Sequence, residues 1–149
     1  MYVSGITTKL EIEITPSAIQ YHANDVLGGL IELGPVLGAD GGCVITNLEL
    51  VDEDNEGAAI DVHIFDQQPA TIADHAAFAP TYADLKKRVR RVQILAADYE
   101  TVNSMKAAYT DTLYNVAPDS TKLWVYLVVT GAPTYAANKK LFLRLFILM

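Results

Sequence analysis

Two segments near the end of the chain limit its fold more than any others. In Lys140-Leu141-Phe142-Leu143-Arg144-Leu145-Phe146-Ile147-Leu148, period-two spacing puts Leu141, Leu143, Leu145 and Ile147 on one side of a strand. Phe142, Arg144, Phe146 and Leu148 fall on the other side, and both sides are mostly apolar. Before it, Lys122-Leu123-Trp124-Val125-Tyr126-Leu127-Val128-Val129 is dense in the β-branched and aromatic residues that suit a pleated sheet. A strand apolar on both sides needs cover on both, so it fits the middle of a layered β fold or a face closed by a second subunit. The second of these options points towards an oligomer.

The rest of the chain agrees. Lys9 to Thr15 alternates, with Leu10, Ile12 and Ile14 on one buried face, and Pro16 ends that strand. Tyr21 to Leu33 reads as a second strand entered through a polar turn, where Gly28-Gly29 marks a bulge, a bend or a close backbone approach. A loop with Gly34, Pro35, Gly38, Gly41 and Gly42 leads to a third strand, Val44 to Val51. The turn Asp52 to Gly57 and the strand Ile60 to Phe65 then read, with the third strand, as a β-hairpin. A further strand runs from about Arg90 to Leu95. Tyr99 to Tyr109 fits either a strand or a short helical turn, and Asn115 to Ser120, with Pro118, reads as loop. About eight strands with turns between them predict an all-β chain: one antiparallel β-sandwich domain of jelly-roll type over residues 1–149, with a long crossover loop.

A formal charge of −7 opposes general nucleic-acid binding, which draws its affinity from Lys and Arg on phosphates. Cys43, the single cysteine, excludes an intrachain disulfide and reads as a buried, inert thiol. Met1 to Thr8 is short and mixed, with no apolar block of signal-peptide type. Leu123–Val129 and Leu141–Met149 fall short of the roughly twenty residues a membrane helix needs. Neither a membrane nor a nucleic acid is expected as a partner.

Catalytic and metal motifs fail one by one. Asp52, Asp54, Glu56 and Gly57 resemble a calcium loop, but the required bidentate Glu position holds His63, inside a strand, so a solvated turn is the expectation. His22, His63 and His75 lie in separate segments without zinc-site spacing, and His63 is expected to face solvent or a subunit. Ser4, Ser17, Ser104 and Ser120 have no nucleophile-elbow context, and no glycine-rich loop opens a helix. The chain is read as no enzyme, with no catalytic residue, cofactor or metal.

About twenty residues with little periodicity separate Phe65 from Arg90, and a loop of that length is usually functional or held by packing of its own. Phe78 and Leu85 are the expected anchors, and Thr81 the N-cap of one helical turn. The loop ends in Lys86-Lys87-Arg88-Val89-Arg90-Arg91, five of the chain's eleven basic residues. Such a run is a solvated face, a seam meeting carboxylates such as Asp61, Asp66 or Asp84 or a partner's acids, or a phosphate contact.

One family resemblance emerges from these residues. Ile64-Phe65, then Asp66 and Pro69, then Asp74, Ala76 and Phe78, then Asp84 resemble the small structural proteins of tailed bacteriophages. Tyr21, Ala23, Asp25, Val26 and Gly28-Gly29 resemble that family's second strand, and Gly131-Ala132-Pro133-Thr134-Tyr135 its last loop. The resemblance implies a jelly-roll cement or decoration protein that sits as a homotrimer on the outer capsid surface of the virion and bridges the major capsid protein. Lys86, Lys87, Arg88, Arg90, Arg91, Trp124, Phe142 and Phe146 are the interface residues expected. The alternative is a carbohydrate- or receptor-binding tail module on the same sandwich, using tyrosines near loops such as Tyr82, Tyr109, Tyr114 and Tyr135.

Overall fold

A computed structural model of the chain describes residues 7–34, 43–116 and 122–148. The glycine-rich loop at 35–42, the loop around Pro118, Ser4 and the Tyr114 side chain lie outside that description. The strands are β1 (Thr7–Ile14), β2 (Val26–Leu33), β3 (Cys43–Asp52), β4 (Ile60–Phe65), β5 (Arg88–Ile94), β6 (Tyr99–Val102), β7 (Met105–Val116), β8 (Leu123–Val129) and β9 (Leu141–Leu148). A single helical turn, α1 (Tyr82–Leu85), precedes β5, and a 3₁₀ turn at Ala96–Asp98 follows it.

These strands form two antiparallel sheets, ordered β1-β9-β3-β7-β6 and β2-β8-β4-β5. The chain passes back and forth between the sheets, apart from β4 to β5 and β6 to β7, and this winding is that of a jelly roll. β6 is the strand beyond the eight expected: the ambiguous stretch around Tyr99 forms a β6–β7 hairpin, and β7 runs on through Asn115, which was expected in a loop.

The hairpin expected from β3 and β4 does not form. β3 bonds to β7 and β9, whereas β4 bonds to β5 and β8 in the opposite sheet. Alternation says which way side chains point, and it is silent on which distant strand supplies the hydrogen bonds.

Between the sheets, Ile45, Leu48, Leu50, Leu143 and Leu145 meet Ile60, Val62, Ile64, Val125 and Leu127 in one core. Each such side chain stabilises the fold by about 1.5–3 kcal/mol through burial. All seven residues of β8 are buried, whereas β9 alternates buried with half-buried. The difference between these two central strands lies in what covers their outer faces.

The 66–87 segment supplies the cover for one of them. It leaves β4, crosses the outer face of the four-stranded sheet to the free edge of β2, and returns to β5. Ile72 and Phe78 close a second apolar cluster over Val26, Phe65, Trp124, Tyr126 and Val128. The Tyr126 hydroxyl donates to the Ala70 carbonyl (2.6 Å) and accepts from the Ile72 amide (2.8 Å). At the β2 edge, Val26 N donates to Ala76 O, His75 N to Val26 O and Phe78 N to Asn24 O, so the loop adds a short rung to the sheet.

Asp74 locks that edge, its Oδ1 accepting from the Tyr21 hydroxyl (2.9 Å) and from Gly28 N (2.8 Å). Tyr21 stacks on His75 at 3.9 Å. Gly28 and Gly29 have φ of 82° and 78°, and the β2–β8 register shifts between Leu27 and Ile31. That is the bulge the glycine pair predicts. Phe78 is an anchor as expected, but Leu85 is 39 % exposed. Buried Asp84 holds α1 instead, with Thr81 as N-cap and Lys87 as ion-pair partner at 2.9 Å.

Candidate contact face

With one outer face sealed by its own loop, the outer face of the five-stranded sheet is the broad surface left uncovered among the described residues. Strand register lays out its side chains in rows. Glu11, Arg144, Glu49 and Tyr109 are cross-strand neighbours over β1, β9, β3 and β7. One row further, Lys9, Phe146, Asn47 and Asp111 align, and on the other side Glu13, Phe142 and Val51.

Arg144 organises the centre. Its Nε donates to Glu11 Oε1 (3.0 Å) and its Nη1 to Glu49 Oε1 (3.2 Å). The guanidinium lies 4.9 Å from the Phe142 ring centre and 5.7 Å from that of Phe146. Tyr109, 57 % exposed, meets Phe146 edge-on at 6.2 Å. These ion pairs are part-exposed and add little stability. Their effect is positional: a planar cation clamped on two sides holds both half-buried phenylalanine rings in place on this face. Beside Phe146, an open groove of about 850 Å³ is lined by Thr8, Lys9, Glu11, Thr46 and Asn47.

The expected interface residues divide over the molecule. Phe142 and Phe146 meet on this face. Trp124 is only 8 % exposed and belongs to the cluster sealed beneath Phe78, so it packs within the chain. The basic run lies on the other sheet. Lys87 binds Asp84 and the Gln68 carbonyl, Arg88 Nη1 lies 3.1 Å from His63 Nδ1, and Lys86 stands over the Tyr82 ring. Arg90 and Arg91 are exposed on β5.

His63, expected at a solvent or subunit face, is 5 % exposed beneath Phe78, with ring centres 4.3 Å apart. Burial, then the charges of Arg88 and Arg91, hold its pKa down to about 4. Burial raises the pKa of the Cys43 thiol above its ordinary value.

The acidic turn is solvated at Glu53, Asn55 and Glu56, as expected, but it is anchored by a buried carboxylate. Asp52, 1 % exposed, accepts from Asp54 N and Gly57 N at 2.9 Å each. Glu53, Asp54 and Glu56 accept from the backbone amides of Lys140, Ala136 and Thr134. These carboxylates fasten the loop before β9. Among the described residues no group of three His, Cys, Asp or Glu side chains could hold a metal ion.

Arg144, Glu11 and Glu49 were absent from the sequence-based expectation, and Tyr109 entered it only in the carbohydrate-binding alternative. A lone cation inside an apolar run, as in Leu143-Arg144-Leu145, was the available signal, since a charge there needs an open face and a partner.

No protein-family model matches the sequence, and no curated protein matches it either. Among solved structures, the chain is similar to a Caldicellulosiruptor saccharolyticus CBM27-1 in complex with mannohexaose, at 12 % identity over 94 % of this chain and 72 % of that one, TM-score 0.46. The capsid of Ralstonia phage GP4 is 23 % identical over 99 % of this chain and 86 % of that one, TM-score 0.46. Tomato aspermy virus is 7 % identical over 96 % and 78 %, TM-score 0.41. At these identities and scores, none of them assigns a function to this chain.

Proposed function

We propose that this chain is a non-enzymatic structural protein of a tailed-bacteriophage particle, a cement or decoration protein that binds the outer surface of the capsid through the uncovered face of its five-stranded sheet. One observation carries the reading: the chain seals the outer face of one sheet with its own loop, while the described residues leave the other uncovered, with Phe142, Phe146 and Tyr109 held around Arg144. Half-exposed aromatics around an arginine are the composition that protein–protein contacts favour. A ligand that binds only the assembled shell stabilises it by mass action, the gain growing with the logarithm of concentration over Kd.

The test is co-sedimentation with empty capsids. Micromolar protein pellets with shells, and the Arg144→Glu and Phe146→Ser chains stay in the supernatant while keeping their β circular dichroism. Protein that does not pellet, or variants that pellet like the parent, would remove the proposal. The groove beside Phe146 favours a second reading, a glycan-binding tail module, because polar side chains there flank an aromatic ring. A glycan-array hit abolished by Phe146→Ser would favour that reading over the first.

A further inference from the structure

β5 and β6 are the last strands of their sheets. β5 bonds to β4 on one side and β6 to β7 on one side, and the turn Ala96–Asp98 joins them, so both open edges share one flank of the sandwich. Arg90 and Arg91 stand exposed on β5 and, among the described residues, neither has an ion-pair partner. Exposed Asp98 and Glu100 stand at the other end of the flank, where the chain turns into β6. Leu95 and Val102 there are each 48 % exposed, on a chain whose other large apolar residues are mostly buried.

We propose that this flank is a self-association surface on which a second copy of the chain docks by antiparallel pairing of the two β5 edges. A ribbon that is basic at one end and acidic at the other complements itself only when the copies run in opposite directions, as a two-fold axis requires. Pairing centred on Gln93, opposite its own copy, sets Arg91 opposite Leu95 and Arg90 opposite Ala96 of the second copy, within reach of that copy's Asp98 and Glu100. The arginines of the two copies then stand about 14–20 Å apart along the ribbon. That exceeds the screening length of about 8 Å at physiological salt. Edge arginines alone would guard the strand against pairing. The acidic corner reverses that role for this one geometry. The symmetry is two-fold, unlike the trimer implied by the phage resemblance, and the surface is separate from the Phe142–Phe146 face.

Sedimentation equilibrium of the full chain tests it. The parent chain is expected to dimerise at micromolar concentration, more tightly at low salt. The Arg90→Glu/Arg91→Glu chain and, independently, the Glu100→Arg chain should each weaken dimerisation by about tenfold or more. Mixing the two variants should restore a dimer, since each reversed charge then meets its opposite. A monomeric parent chain, or an oligomer of any size that is indifferent to both variants, overturns the proposal.

Discussion

Acid is expected to weaken this protein through His63. The unfolded chain takes a proton on that imidazole near pH 6.5, and the folded chain holds it off until about pH 4. Between those values the unfolded state binds more protons, so stability falls as the pH falls. Above pH 6.5 both states are neutral and the full stability is present; below about pH 4 both are protonated and the loss is complete. Each pH unit of that interval is worth about 1.4 kcal/mol, so the total loss is about 3 kcal/mol, a large share of the 5–15 kcal/mol typical of a domain. The assay is urea unfolding from pH 7.5 to pH 3.5 (roughly the interval that brackets both protonations), on the parent chain and on His63→Gln. Glutamine does not titrate and keeps an acceptor for Arg88. Carboxylate effects, such as that of Asp84, whose pKa the Lys87 hydrogen bond lowers, are common to both chains and cancel in the difference. Parent stability minus variant stability should therefore drop by about 3 kcal/mol between pH 7 and pH 4. A difference that stays constant across that range refutes the reasoning.

Three further substitutions probe the fastenings of the fold. Gly28→Ala puts a Cβ 2.8 Å from Ile14 Cγ2 at a φ of 82°, and should cost about 1–3 kcal/mol in urea unfolding. Asp74→Ala removes the acceptor shared by Tyr21 and Gly28 N, at a cost of about 1–3 kcal/mol, and faster amide exchange across residues 74–78 should accompany the loss. Asp52→Ala strands two amides at a buried position; a lower melting temperature, corresponding to about 2–4 kcal/mol, is the expected readout.

The residues behind the phage resemblance have a structural explanation. Tyr21, Val26, Gly28, Asp74, Ala76 and Phe78 all meet where the 66–87 segment joins the β2 edge, and Tyr21 N donates to the Pro133 carbonyl. They are the fastening of the fold. The outer face of the five-stranded sheet is built from other residues.

Period-two alternation determined the class of the fold and the inward rows, because burial of one side of a pleated strand writes itself into neighbouring residues. Leu10, Ile12 and Ile14 and the four inward residues of β9 were legible in that way, and so was the bulge at Gly28-Gly29, where positive φ favours glycine. Partner strands, and the cover over outward rows, were settled only in three dimensions. The acidic turn looked like a hairpin tip because local pattern carries no record of β7 and β9 closing on β3. Trp124, His63 and Phe146 all point outward from their sheets by parity, yet the first two are buried and the third is only half-buried. What separates them is whether a loop from elsewhere in the chain lies on top, a packing event that depends on Asp74 meeting Tyr21, and on Ile72 and Phe78 meeting Tyr126, each across more than forty residues of sequence.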